Sequence, residues 1–340
     1  MKIPRFLKTW ESSLVFLLAG VILVFGTIND SFLNLDNLLY SSSDFAHIML
    51  AALPLTLVII TGGIDISIAS VMGLSAVVLG VTWQAGANVF VAMGIALLVG
   101  VVAGAINGLL VANTDINPLV ITLGTLFLYS GIATGIAGSL GASGYEGISG
   151  LPHSFTQLAH GSVGPVPYPL IIIFGLVVLY SVLLHATRFG RSLYLIGVNV
   201  EAARFSGIPV KRVIVTAYML SGFGSALAGT MLTAYFTSAR SDLGSEALLP
   251  TITAVVLGGT DILGGSGTIV GTFLATLVLG YLKQGLLAVG VTSDVSQVVI
   301  GSLLIVVVAV KLLAADFNRK RLNRRALQAR EEMRGGDVSA

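Results

Sequence analysis

Apolar residues in this chain neither alternate with polar ones nor recur every three or four positions, as they would on a half-buried strand or soluble helix. They run on, over stretches approaching the ~20 residues needed to cross a bilayer as a helix. Ten such runs stand between polar, Pro or Gly breaks. They start near Ser13, Ala46, Ser67, Val89, Leu119, Leu170, Val213, Ala247, Thr268 and Val295. They end near Ile28, Thr61, Trp83, Ala112, Ala137, His185, Tyr235, Leu257, Ala288 and Lys311. Strands of a membrane barrel would alternate over about ten residues. The pattern therefore predicts an all-α polytopic membrane protein of about ten transmembrane helices. The second and eighth runs are short, which leaves room for one of them to be broken or re-entrant.

Composition removes the soluble alternative that 340 residues would otherwise suggest. Only 10% of the chain is Asp, Glu, Lys or Arg, against roughly 25% in an average soluble protein. Between Lys8 and Arg188 there is no Lys or Arg at all. The 41 glycines fit close helix packing in a membrane. A net charge of +2 gives no reason to expect a nucleic-acid partner, and the absence of Cys excludes disulfides and thiolate metal sites.

Cation placement predicts orientation. Lys2, Arg5 and Lys8 precede the first run, Arg188, Arg191, Arg204, Lys211 and Arg212 lie between the sixth and seventh, and the rest of the main group follows the tenth. Ten crossings put these clusters on one side, leaving only Arg240 and Lys283 opposite. Both termini and residues 188–212 are thus expected in the cytoplasm. The basic start followed by an apolar run resembles a signal peptide, but it is long, lacks a small-x-small site, and reads as an uncleaved helix. Residues 1–315 read as a transmembrane domain, and 316–340 as a basic cytoplasmic tail.

Two segments match at a constant offset of 196. LPLTLVIITGGIDISIAS around Pro54 parallels LPTITAVVLGGTDILGGS around Pro250. Paired halves of this kind build many transporters, with the pathway between them. In each copy a Gly-Gly pair ends a run and an acid follows: Gly62, Gly63 and Asp65, then Gly258, Gly259 and Asp261. Each aspartate admits two readings. It caps a turn at the membrane surface, or it is a carboxylate in the translocation path and a possible gate. Direction favours a parallel repeat unless a segment is re-entrant. Asn117-Pro118 restarts a helix, and Asn117, Thr122 and Thr125 are candidates for a path suited to an uncharged, hydroxyl-rich cargo.

No GxxxxGK[ST], GxSxG or HExxH string occurs, and His47, His153, His160 and His185 are scattered. No catalytic residue, metal or chain-bound cofactor is expected. The glycines at 264, 265 and 267 read as a tight turn. The polar stretch RFGRSLYLIGVNVEAARFSGIPVKR is amphipathic, and its Glu201, Ala202 and Ala203 can sit on a short helix stopped at Gly207.

GVNVEAARFSGI, with GG-x-D-I-S at Gly62 and NPLVITLGT at Asn117, resembles the ribose-type sugar permeases of ATP-binding-cassette importers over nearly the whole chain. SSDFAHI at Ser42, GASGYEGISG at Gly141 and YFTSARSDLG at Tyr235 are similar to one branch of that family. The resemblance implies a ten-helix permease subunit in a bacterial inner membrane, not an enzyme. Its partners would be a second, related permease chain, a cytoplasmic ATPase subunit that uses ATP and Mg, a periplasmic substrate-binding protein, and lipid. Glu201, Ala202, Ala203 and Gly207 would contact the ATPase, and residues 138–168 would face the binding protein. The rival within the family is a permease for a pentose or deoxyhexose such as ribose or rhamnose. The rival outside it is an ion-coupled transporter using Asp65 and Asp261.

Overall fold

The computed structural model describes residues 10–139 and 147–309. Lys2, Arg5, Lys8, Glu146, residues 141–146 and the tail 316–340 lie outside the described residues.

The described chain is a helical bundle, and each of the ten apolar runs corresponds to one helix. These are α1 (Trp10–Gly26), α3 (Ala46–Ile60), α4 (Ile68–Gln84), α5 (Val89–Asn113), α6 (Pro118–Ser139), α8 (Tyr168–Ala186), α11 (Val210–Phe236), α12 (Leu248–Leu257), α13 (Ile269–Ala288) and α14 (Ser293–Ala309). Between them stand the short helices α2 (Leu35–Ser41), α7 (His153–His160), α9 (Arg188–Val198) and α10 (Val200–Phe205). Two antiparallel ribbons complete the inventory. Strand β1 (Ile148–Ser149) pairs with β4 (Ser238–Ala239), and β2 (Ser162–Val163) with β3 (Val166–Pro167).

Among the described residues, six helical stretches are long and apolar enough to cross a membrane by themselves. The two short runs resolve differently. Helix α2 and a 3-10 turn over Ser42–Phe45 extend α3 into a stretch of 26 residues, Leu35–Ile60. Helix α12 stays at 10 residues, about 15 Å, and irregular turns over 241–247 precede it.

The core is the block α3, α4, α5 and α11. Gly100, Gly104 and Gly108 recur every fourth residue on α5, so they share one face. A side chain on Gly100 or Gly104 would collide with the Gly222 or Tyr218 backbone of α11, and one on Gly108 with Val215. Close approach of two backbones is what small residues at this spacing permit. Polar side chains inside the block are held by backbone carbonyls one turn away, as Thr56 by Ala52 and Ser225 by Ser221, each at 2.8 Å.

Both ends of the bundle are well defined. A turn face carries residues 61–67, 187–209 and 258–268, tied together by Gly265 N–H donating to Ile60 O at 2.8 Å and Trp10 Nε1–H to Leu257 O at 2.8 Å. A ribbon face carries both strand pairs, Asp44, and the ends of α11 and α13, joined through Tyr235 and Gln284 donating to Asp44. Both repeat copies run from the ribbon face to the turn face, so they are parallel in direction. Arg188, Arg191, Arg204, Lys211 and Arg212 belong to the turn face, whereas Arg240 and Lys283 line a cavity at the other end.

Candidate functional site

Three backbones converge on the turn face: the end of α3 at Ile60, the turn of the second repeat at Gly265, and α9 at Gly197. A side chain on Gly197 would collide with Ile60 O and with the Gly265 amide. Tyr194 of α9 donates to Gly267 O at 2.8 Å, and Thr268 donates to Glu11 of α1 at 3.1 Å. Helix α9 therefore touches the turns of both repeats.

The Gly-Gly turns match in sequence but differ in conformation. Positive φ falls on the first glycine in one copy, Gly62 at +79°, and on the second in the other, Gly259 at +100°. The acids diverge accordingly. Asp261 is exposed, its carboxylate accepting the Leu263 N–H at 3.0 Å in a local turn. Asp65 is buried at 2% exposure.

Around Asp65 the fold assembles a continuous polar junction. Its Oδ1 accepts from Ser67 Oγ at 2.6 Å and Ser67 N–H at 3.1 Å, and its Oδ2 accepts from Ser221 Oγ of α11 at 2.8 Å. Asn107 of α5 donates to Ser67 Oγ at 2.7 Å, and Tyr129 of α6 donates to Asn107 Oδ1 at 3.3 Å. The neighbouring Ile64 carbonyl accepts from Tyr218 at 3.1 Å and from Thr122 at 3.2 Å. Burial raises the Asp65 carboxyl above its ordinary value of 3.8, and the hydrogen bonds from Ser67 and Ser221 oppose that shift. No cation pairs with it among the described residues. The donors and the N-terminus of α4, just beyond it, are what favour its charge.

Thr122 and Thr125 both lie buried on the inner side of α6, Thr125 donating to Thr122 O at 3.3 Å. Asn117 is exposed and accepts the Leu119 N–H at 2.9 Å, starting α6. The structure thus brings Asp65 and Thr122 together and leaves Asn117 and Asp261 at the surface. Ser67, Asn107, Tyr129, Ser221 and Tyr218 were not singled out from the sequence. Asn107 and Ser221 carry a signal nonetheless, since each is a polar residue inside a long apolar run.

Helix α10 projects from the same face. Asn199 caps it, accepting the Ala202 N–H at 2.9 Å, and Gly207 at φ +78° turns the chain into α11. Glu201 pairs with Arg204 at 3.0 Å and is exposed with Ala202, while Ala203 is buried against the bundle. Phe205 is 90% exposed, and Val198 and Leu263 are each 74% exposed. These large apolar side chains stand exposed on the face that also carries Arg188, Arg191, Arg204, Lys211 and Arg212. Among the described residues no three His, Asp or Glu side chains converge as metal ligands. The junction ties the start of α4 to α5, α6 and α11 through side-chain hydrogen bonds.

Comparison with known proteins places this architecture. Residues 37–308 match the family described as the permease component of the branched-chain amino acid transport system. The chain is 50% identical over 299 residues to the autoinducer 2 import system permease protein LsrD of Klebsiella pneumoniae, covering 88% of this chain and 90% of that one. It is 49% identical, with the same coverage, to the LsrD proteins of Yersinia enterocolitica and Salmonella typhi. No solved structure matches it. An all-α, multi-pass bundle matched over four-fifths of its length in this way has one conclusion: the chain belongs to that family of transport-system permease components.

Proposed function

We propose that this chain is a permease subunit of an ATP-binding-cassette importer for autoinducer 2, in the inner membrane of a bacterium, serving quorum-signal uptake. The observation that carries this is near-half identity, over 88% of the chain, to proteins named as autoinducer 2 import permeases. The turn face supports the mechanism. A cytoplasmic ATPase subunit, using ATP and Mg, docks on α10 and the exposed Phe205, and contacts Glu201, Ala202 and Gly207. Its closure displaces α9 and α10, and the junction at Ile60, Gly197 and Gly265 passes that displacement to both repeats. A second, related permease chain completes the path, and a periplasmic binding protein delivers the cargo to the ribbon face. Both termini lie in the cytoplasm, as the clustered cations require. The chain itself binds no cofactor.

An ion-coupled transporter using Asp65 and Asp261 as a pair is disfavoured, because one is buried and the other exposed. Gly207→Val tests the coupling role. Its φ of +78° costs a branched residue about 1–2 kcal/mol and re-aims α10. With the other subunits in vesicles, binding-protein-stimulated ATP hydrolysis should be lost while membrane insertion persists. Normal stimulation would sink the coupling assignment, gradient-driven uptake without an ATPase would sink the importer reading, and uptake of ribose or rhamnose but not autoinducer 2 would replace the cargo.

A further inference from the structure

On the ribbon face, between the starts of α3 and α12 and the ends of α11 and α13, lies a cavity of about 440 Å³. Its volume falls within the range of small-molecule sites. Apolar walls come from Phe45, Ile48, Leu232, Phe236, Leu279 and Ile300. Phe45 is fixed there by an edge-on contact with Tyr281 at 5.2 Å, and a side chain on Gly280 would strike its ring.

The charged groups of this cavity divide into two kinds. Asp44 accepts from Tyr235 and from Gln284, each at 2.8 Å, and Asp242 is paired with Arg240 at 3.0 Å. Glu246 and Lys283 line the same cavity, and neither has a hydrogen-bond or ion-pair partner among the described residues. One strong acceptor and one strong donor are therefore left open on an apolar-walled cavity, with His47 and Ser245 beside them.

We infer that this cavity binds a small, uncharged, hydroxyl-rich molecule within the single permease chain, with Glu246 accepting from adjacent hydroxyls and Lys283 donating to an oxygen. The inference rests on the importer reading above and adds to it a cargo-binding site at the mouth of the path. Aromatic rings flanking polar groups suit a ligand with an apolar face and hydroxyls at its edge. A zwitterionic amino acid could span Lys283 and Glu246, but it would leave the His47 ring nitrogens at the same wall unmatched. Helices α3 and α12, which carry the two repeat copies, border the cavity at their starts, so relative movement of these helices would reshape the site.

The complete four-component complex in proteoliposomes tests this, with autoinducer 2 and leucine as probes. At saturating loaded binding protein, Lys283→Met and Glu246→Gln should each lower autoinducer 2 uptake about tenfold, the loss expected for one charged hydrogen bond. Binding-protein-stimulated ATP hydrolysis should stay within about twofold of the unchanged chain, which reports intact folding and assembly. Ser245→Trp, at the exposed rim, should block uptake by filling the entrance. Unaltered uptake in all three variants overturns the site while leaving the importer reading standing. Leucine uptake by the unchanged complex, lost in the same variants, overturns the ligand class. Absence of autoinducer 2 uptake by the unchanged complex instead overturns the importer reading itself.

Discussion

Asp65 and Asp261 occupy equivalent positions in the repeat, yet one is buried and the other exposed. Water covers Asp261, while helices α5, α6 and α11 enclose the junction around Asp65. Because burial raises the Asp65 carboxyl above 3.8, the folded chain binds more protons there than the unfolded chain as pH rises from that value. Its contribution to stability is therefore greatest at low pH and is lost as pH rises through the raised pKa. Asp65→Asn, which keeps the side-chain volume, should remove this dependence. Thermal unfolding of the purified chain between about pH 4 and about pH 8 reads it, and parallel pH profiles for the two proteins would count against it. Sequence alone leaves Asp65 open between a surface cap and a carboxylate in the translocation path, because Asn107 and Ser221, which help enclose it, lie 42 and 156 positions away.

At the level of elements, glycine does different work on two neighbouring helices. On α5 the fourfold-spaced glycines are filled by the backbone of α11, whereas Gly124, Gly131 and Gly135 on α6 face open space. Gly104→Leu should therefore destabilise the chain by about 1–3 kcal/mol or more, since the obstacle is backbone that no rotamer change can move. Gly124→Leu should leave the folding of the isolated chain unaltered. Melting temperatures in detergent would separate the two, and equal losses would contradict this packing. The helices themselves were legible from the apolar runs, to within three residues at their ends. Their partners were not, because α5 and α6 each carry four glycines, and only packing distinguishes the two sets.

On the scale of the whole molecule, two faces separate two tasks. The turn face gathers the repeat turns, α9, α10 and the exposed Phe205; the ribbon face holds Asp44, Arg240, Lys283 and the cavity. The chain has no cysteine, so single introduced thiols report the sides directly. Ser206→Cys should react with an impermeant maleimide only from the cytoplasm, and Ser245→Cys only from the periplasm. Labelling of both from one side would refute the orientation. What the sequence determined by itself was the solvent and the direction of the chain. Apolar runs of membrane-spanning length, cations concentrated in three clusters, and a repeat in constant register are all one-dimensional quantities. Tertiary structure alone decided which of the two matching aspartates is buried, since that depends on Asn107, Tyr129 and Ser221 meeting across three helices. It likewise decided that Glu246 and Lys283 share a cavity, because two charges 37 residues apart acquire a common ligand only when the bundle closes around them.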